Sequence, residues 1–214
     1  MSLADFIDIW LWRFALAVFV VGAAWRVLAM LATGRPKDLS TPRASASAGG
    51  WHALFSRFLP RREMAGRERL HVIGGYLFHL GLFALLFFAA PHVDFYRDRL
   101  FGVGWAALPN WGFILAAEAA FFGLLLLWLH RVLNPVTRLI SSTGDHAASV
   151  LTFLVMLTGC LALARSHESL RLLHFFMVEL FMIYFPFSSL MHSITFAFSR
   201  AAIGAHYGRR GVKT

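Results

Sequence analysis

Residues 172–198 read LLHFFMVELFMIYFPFSSLMHSITFAF, an apolar stretch that contains two histidines, His174 and His192. The two positions are 18 residues apart (192 − 174), about five turns of an α-helix, so both rings would leave one face about 27 Å apart along the axis. That separation is close to the height of a bilayer's hydrocarbon core, about 30 Å. A polar ring in lipid needs a partner. We therefore expect two metal centres stacked across a membrane, and haem is the natural centre because its iron takes axial imidazole nitrogens.

The composition of the chain indicates an integral membrane protein. Of the 214 residues, 58% are hydrophobic, Phe alone supplies 22, and the mean hydropathy is +0.64. Few soluble domains could bury that much apolar surface. The formal charge of +9 could indicate nucleic-acid binding, but most basic residues lie in loops beside apolar segments, where membrane topology explains them better.

The cysteine content and the N-terminal segment exclude two further classes. The single cysteine, Cys160, lies in an apolar run, so a disulfide framework and a cysteine-ligated iron–sulfur cluster are both excluded within this chain. The N-terminal segment lacks a basic start and its apolar run is too long for a signal sequence, so we expect no cleavable signal peptide.

The hydropathy pattern predicts an all-α protein, an integral membrane five-helix bundle that forms a single membrane domain over residues 1–214. A polar, arginine-rich loop at 33–69 separates the first two spans, and within it we expect a short interfacial helix around residues 51–59. Pro91 closes the second span, and Asn134-Pro135 breaks the chain after the third. The predicted spans are residues 7–32, 70–90, 111–130, 146–164 and 172–198.

Loop charge predicts the orientation of these helices. The 33–69 loop, the loop after the third span and the C-terminal tail all fall on one side of a five-span bundle and are rich in basic residues. The positive-inside rule assigns that side to the cytoplasm. We therefore expect the N-terminus outside and the C-terminus in the cytoplasm. The basic residues are Arg35, Lys37, Arg43, Arg57, Arg61, Arg62, Arg67, Arg69, Arg131, Arg138, Arg200, Arg209, Arg210 and Lys213.

The direction of the spans decides which histidines can form pairs. His79 lies well inside the second span and shares the cytoplasmic half with His192, so these two are a natural bis-histidine pair. His174 lies in the outer half, where His92 has the right depth. On a straight helix His92 would point about 140° away from His79, but Pro91 can break the helix and re-aim the ring.

Other interpretations of these histidines stay open. A rival register pairs His71 with His192 and His79 with His174, although His71 would then lie almost in the headgroups. A single-haem protein is a third arrangement, and isolated histidines hydrogen-bonded between helices are a fourth. The glycines that flank His79 would let a flat macrocycle approach the backbone; they are Gly74, Gly75 and Gly81.

The segments around these histidines resemble the NarI-like cytochrome b family, named for the gamma subunit of respiratory nitrate reductase. The 18-residue spacing and the five-span layout agree with that family, and the resemblance covers most of residues 5–200. It implies a five-helix bundle with two b-type haems that takes electrons from membrane quinol and passes them to an iron–sulfur subunit on the cytoplasmic face. The resemblance is best at Leu77-Phe78-His79-Leu80-Gly81, at Leu173-His174 and at Phe185-Pro186-Phe187-Ser188-Ser189-Leu190-Met191-His192.

One position departs from the nitrate reductase subunit, which has another ligand histidine where this chain has Ala89. The second span here ends in Ala90-Pro91-His92, and so looks closer to a NarI-like branch whose cytoplasmic partner is similar to heterodisulfide reductase. The departure leaves the outer ligand and nitrate as terminal acceptor open. We expect the bacterial inner (cytoplasmic) membrane as the location, and as axial ligands His79, His192, His174 and His92.

The expected role is electron transfer in a quinol-linked oxidoreductase complex of the respiratory chain. Quinol would bind near the outer haem, lose two electrons and release protons outside, while the electrons step to the inner haem and the partner's cluster. Glu179, five residues after His174, is our candidate for the proton path, and Glu118 in the third span is a second candidate. Two rival roles stay open: a membrane anchor without redox function, and a transporter or channel whose histidines relay protons.

Overall fold

The computed structural model describes residues 2–34, 38–60, 66, 68–164 and 167–212, and this part of the chain forms helices and turns without a β-strand. The all-α prediction is therefore confirmed. Six of the predicted basic residues lie outside the described part, namely Arg35, Lys37, Arg61, Arg62, Arg67 and Lys213. The helices are α1 (Leu3–Ala32), α2 (Ala46–Ser56), α3 (Arg69–Phe88), α4 (Ala90–Phe95), α5 (Asn110–Leu133), α6 (Pro135–Ile140), α7 (Thr143–Ala164), α8 (Glu168–Tyr184) and α9 (His192–Arg209).

Within the described residues, five segments are long and apolar enough to cross a membrane, which confirms the predicted number of spans. The first four agree with the predicted bounds to within about four residues at each end. The orientation of the termini stays a prediction from loop charge. The segments are Leu3–Ala32, Arg69–Phe88, Asn110–Leu133, Thr143–Ala164 and Glu168–Phe187.

The prediction of one continuous helix over residues 172–198 is wrong. Helix α8 ends at Tyr184, and two single turns of 3₁₀-helix follow, Phe185–Phe187 and Ser189–Met191. The physical reason is Pro186, which has no N–H to continue the α-helical ladder. Between the two turns Ser188 is extended (φ −119°, ψ 175°), and its hydroxyl oxygen accepts a hydrogen bond from the Leu190 N–H.

This break places the two histidines in different helices. His174 lies inside α8, whereas His192 is the first residue of α9. The two rings therefore do not share a face of one helix, and the 27 Å estimate for a straight helix does not apply to them. Each histidine has to be judged by its own surroundings.

The chain packs as two compact units. Unit 1 combines Met1–Phe14 with Arg67–Phe181, and unit 2 combines Ala15–Gly66 with Met182–Thr214. The assignment of residues 1–214 to one membrane domain stays a prediction.

Within unit 1, α3 and α5 cross at very short range through glycines. A Cβ atom at Gly81 would lie 2.6 Å from the Ala116 carbonyl oxygen, and one at Gly123 would lie 2.7 Å from the Gly74 carbonyl oxygen. Small residues at such crossings let two membrane helices approach closely. Gly74 and Gly81 thus pack against α5, and the expectation that they open a path for a macrocycle beside His79 is wrong.

Gly75 differs from these two glycines, and the difference gives a stability prediction. A Cβ at Gly75 would meet no atom of the described residues within 4 Å. Gly75→Ala should therefore keep the gain of about 1 kcal/mol that alanine brings to a helix interior. Gly81→Ala should lose about 1–3 kcal/mol to overpacking against backbone that cannot yield, which more than offsets that gain.

Thermal unfolding of the purified protein in one detergent measures this pair of variants directly. We expect Gly81→Ala to lower Tm and Gly75→Ala to leave it unchanged or higher. Equal Tm values for the two variants would contradict the close crossing of α3 and α5.

Within unit 2, α2 packs against α9 through a second set of glycines. A Cβ at Gly49 would lie 2.5 Å from the Gly204 carbonyl oxygen and 2.6 Å from the Gly208 Cα. The short helix predicted at 51–59 therefore exists, but it spans Ala46–Ser56 and one of its faces is covered by α9. Its exposed rings, Trp51 and Phe55, stack on each other with centroids 6.0 Å apart.

Candidate functional site

The structure places His92 and His174 side by side inside unit 1. Their ring centroids are 6.2 Å apart and their planes are inclined by 19°. His92 lies in the first turn of the short helix α4, and His174 lies in the second turn of α8. His92 and His174, the two histidines expected to pair in the outer half, are therefore neighbours in the structure.

A break between α3 and α4 aims the His92 ring. Ala89 is extended (φ −65°, ψ 134°) and Pro91 occupies the first turn of α4, where a missing N–H does no harm. His92 Nδ1 lies 2.9 Å from the Leu85 carbonyl oxygen and 3.0 Å from that of Leu86. Both carbonyls belong to the last turn of α3, and the Leu85 oxygen also accepts from the Ala89 N–H at 3.2 Å. Since a carbonyl only accepts, Nδ1 must carry the proton and Nε2 the lone pair.

Helix α7 fixes the His174 ring in the same tautomer. His174 Nδ1 lies 3.2 Å from the Thr158 hydroxyl oxygen. The Thr158 hydroxyl donates its own proton to the Leu154 carbonyl at 2.8 Å, so it accepts from Nδ1–H. The ring lies over Gly159, where a Cβ would be 3.0 Å from His174 Cε1. The adjacent Thr158 and Gly159 thus supply an acceptor and the space that the ring needs.

His79 belongs to unit 1 and His192 to unit 2. His79, half-buried in α3, donates from Nδ1 to the Gly75 carbonyl at 2.7 Å, and its ring packs against Phe78 with centroids 4.9 Å apart. His192 donates from Nδ1 to the Ser189 carbonyl, also at 2.7 Å. Both rings therefore carry the lone pair on Nε2.

All four predicted ligand histidines share this arrangement, with Nδ1 bonded to an oxygen of the protein. Metal-ligating histidines are typically held in this way, because the bond to one ring nitrogen fixes the tautomer and the ring orientation for the other. His71, which the rival register would use, lies instead beside His130 with ring centroids 5.0 Å apart. Because His174 lies beside His92 and His71 lies beside His130, these contacts favour the pair of His174 with His92 over the rival register.

The two candidate carboxylates have opposite surroundings. Glu179 is completely buried on α8, and neither carboxylate oxygen has a hydrogen-bond partner among the described residues. Glu118 lies on an exposed face of α5, at a groove lined mainly by apolar side chains. A buried polar group without a partner is costly, so its presence in a membrane span indicates a function.

An ion-pair cluster beside His174 was not predicted from the sequence. Arg171, one turn before His174, binds Asp8 through two hydrogen bonds of 3.0 and 2.7 Å and Glu168 through two more of 3.0 and 2.6 Å. Asp8 lies in a π-helical turn of α1, Phe6–Leu11. The sequence does show the Asp8 carboxylate within an apolar run, but it does not indicate the partner, because Arg171 is 163 residues away. The cluster anchors the first turn of the helix that carries His174.

A site built from protein ligands alone is absent from the described part of the chain, where no group of three or more His, Cys, Asp or Glu side chains could hold a metal ion. A haem differs from such a site because the porphyrin supplies four ligands and the protein only the axial ones. Two imidazoles would therefore supply all the protein ligands that a haem requires. The residues present fit that requirement.

Comparison with known proteins gives one similar sequence. A protein of Nitratidesulfovibrio vulgaris (strain Hildenborough) is 27% identical over 199 residues, which cover 92% of this chain and 85% of the relative. No family model matches the chain, and no solved structure is similar to it. The similarity therefore extends over nearly the whole membrane region without indicating an activity.

Proposed function

We propose that this protein is a di-haem cytochrome b subunit that carries electrons between membrane quinol and an iron–sulfur partner in the cytoplasm. The observation that carries the proposal is the common orientation of His79, His92, His174 and His192, each with Nδ1 bonded to an oxygen. In this arrangement each Nε2 is prepared to bind a metal. A membrane anchor would have no need of four histidines held in one tautomer.

The separation of His92 and His174 supports a shared iron. If a haem is bound here, His92 and His174 would hold its iron, and the iron would supply one-electron redox chemistry. The observed centroid separation is 6.2 Å.

Glu179 is the group best suited to hold a proton in this mechanism. Quinol oxidation releases two electrons and two protons, and haem iron, when bound, supplies the one-electron redox chemistry. The Glu179 carboxylate lies five residues beyond His174, about 7.5 Å further along α8. Because it has no hydrogen-bond partner among the described residues, it is available to accept one of the two protons.

Replacing this carboxylate by its neutral isostere separates activity from stability. In Glu179→Gln we expect haem reduction by decylubiquinol to slow at least about 10-fold, since a positioned proton acceptor typically contributes 10²–10⁴-fold. Tm should not fall, because the variant removes a buried carboxylate that nothing compensates. Stopped-flow absorbance and thermal unfolding measure the two effects, with Asp98→Asn, exposed in the π-helical turn Tyr96–Phe101, as control. A lower Tm at unchanged rate would show a structural role instead.

Arg200 in unit 2 is a candidate partner for a haem propionate. Its guanidinium lies over the rings of Phe58 and Phe196, at 4.9 and 5.4 Å from their centroids. Its buried NH1 has no hydrogen-bond partner among the described residues. Arg200 follows His192 by two turns of α9, and helical side chains lean back towards the N-terminus, so the guanidinium lies on the His192 side of its own Cα. Arginine also suits carboxylates in geometry and charge.

Removal of this charge should be visible in the redox potential. In Arg200→Gln we expect the midpoint potential of one haem to fall by tens of millivolts, because a nearby positive charge favours the reduced, less positive iron. Potentiometric titration of the α bands measures the shift, and Arg57→Gln is the matched control on the same unit. Identical potentials in both variants would exclude Arg200 as the propionate partner.

The basic end of unit 2 is the surface that we assign to the cytoplasmic partner. Arg209 NH2 donates to the Ser40 carbonyl at 3.0 Å, and Arg210 pairs with Asp38 at 3.3 Å, so the 38–43 segment is tied to the end of α9. Hydrogen bonds from Ser40 lower the pKa of Asp38 to about 2, which keeps this carboxylate ionised at neutral pH. An ordered basic surface is complementary to an acidic protein partner. Five apolar spans with basic loops on one side are consistent with the bacterial inner membrane.

The experiment that tests this function is reduction of the purified protein by quinol. We expect the α band of reduced haem to appear when decylubiquinol is added. Dithionite should then complete the reduction. Reduction by dithionite but not by decylubiquinol or a naphthoquinol would remove the quinol step from the proposal. A protein without any haem band would contradict the proposal and leave the anchor and the transporter as the remaining roles.

A further inference from the structure

A groove of about 730 Å³ runs between α5 and α7 within unit 1. Its walls are apolar and aromatic, with Phe122, Leu125 and Trp128 on α5 and Phe153 and Leu157 on α7. Both helices are candidate membrane spans, so the groove lies at the depth of the hydrocarbon core. A volume of this size is typical of small-molecule sites.

The groove carries a carboxylate at one end. Phe121 and Phe153 pack edge to face across the two helices with centroids 5.2 Å apart, which fixes their relative height. Glu118 lies one turn before Phe121 and Leu157 one turn after Phe153, so these two groove residues lie at the same level of the antiparallel pair. Trp128 lines the opposite end.

The carboxylate end of the groove lies at the depth of the paired imidazoles. Leu157 directly precedes Thr158 and Gly159, the residues that hold the ring of His174. Glu118 and His174 are therefore on opposite sides of α7 at a similar level, separated by about the 10 Å width of a helix. A molecule bound at Glu118 would be close to the site that we assign to the outer haem.

Glu118 needs a partner that the described chain does not provide. Its carboxylate is exposed and makes no hydrogen bond or ion pair with the described residues. It lies eight residues into α5, about 12 Å from the start of the helix, so water and lipid headgroups are distant. A carboxylate at that depth requires a hydrogen-bond donor. A phospholipid phosphate is unsuitable because it is anionic and lies further out.

We propose that this groove binds a membrane quinol, with a ring hydroxyl donating to the Glu118 carboxylate and the isoprenoid chain lying along the groove towards Trp128. A quinol combines the two properties that the groove selects, a hydroxyl donor on a flat ring and a long apolar chain. The open side of the groove lets the chain enter from lipid. This inference rests on the proposed function and names its quinol site.

An azido-decylbenzoquinol, a photoreactive probe kept in its reduced form so that it carries the ring hydroxyls, tests the site in nanodiscs of the full-length protein. We expect labelling on peptides from 118–128 and 149–157, with competition by decylubiquinol. Leu125→Trp, which fills the groove, should reduce labelling at least about 10-fold. Glu118→Gln keeps a hydrogen-bond acceptor without the charge and should reduce it about 3–10-fold, since hydrogen bonds to charged groups are the stronger ones.

Leu115→Trp is the matched control. Leu115 lies on the same helix with similar exposure, 57% against 51% for Leu125, and is not part of the groove lining. This variant should label like the wild type. Labelling at other helices, or labelling that Leu125→Trp and Glu118→Gln leave unchanged, would overturn the assignment. The assignment would also be overturned if the groove cross-linked to another protein helix or to a photoreactive acyl lipid and decylubiquinol did not reduce that cross-linking.

The haem spectrum of the same samples separates this inference from the proposed function. Haem bands with labelling outside the groove would leave the electron-carrier function in place and remove only the site. Groove labelling in a protein without haem would support the site and contradict the electron-carrier function. Competitive labelling at 118–128 in a haem-loaded protein supports both.

Discussion

His174→Ala is expected to lower the haem content from about two to about one per chain. In the proposed site His92 and His174 would hold one iron together, so alanine at position 174 would leave that iron with one protein ligand. His92→Ala should lose the same haem for the same reason. The double variant should lose no more than either single one, because both ligands serve one iron. Pyridine haemochrome analysis per mole of purified protein measures the content.

His206→Ala is the control for this pair, since His206 is exposed near the C-terminal end of α9. It should retain about two haems per chain. If His92→Ala retained both haems while His174→Ala lost one, the outer ligand would be a residue other than His92. A double variant that lost both haems would show that the two histidines bind different irons.

The second large effect is expected at the inner site. His79→Ala and His192→Ala should each remove the other haem and leave the outer one, with a single α band in the reduced spectrum. The physical reason is again the loss of an axial imidazole, one held by the Gly75 carbonyl and the other by the Ser189 carbonyl. Combining His79→Ala with His174→Ala should therefore give a protein without haem.

This second prediction also tests the pairing of His79 with His192, which was inferred from the direction of the spans. If the His79→Ala and His192→Ala double variant lost both haems, the two histidines would bind different irons. Retention of both haems in His192→Ala would remove this residue from the ligand set.

The sequence was sufficient to predict the membrane-spanning helices but not where each of them ends. Long apolar runs predict spans because a bilayer leaves the backbone no alternative to helical hydrogen bonding. The same hydropathy concealed the break at Pro186, since proline does not interrupt an apolar average although it interrupts the hydrogen-bond ladder. The Phe-Pro-Phe-Ser segment contained that signal. The effect of Pro91 on His92 was anticipated because there the helix end coincided with a loss of apolar character.

Interactions between distant parts of the chain were beyond a single sequence. Nothing in the neighbourhood of Asp8 indicates Arg171, and nothing around Thr158 indicates that its hydroxyl accepts from His174. These contacts depend on which helices become neighbours. The roles of Gly74 and Gly81 were misassigned for the same reason, since a glycine that admits a ligand and one that admits a helix look identical in sequence.

The central claim is that paired imidazoles of this chain hold iron porphyrin. The most direct test is the haem content and absorbance spectrum of the full-length protein purified from cells that make haem. The account predicts about two b-type haems per chain, a low-spin Soret band and sharp α bands on reduction. A folded, full-length protein with no Soret band would contradict it.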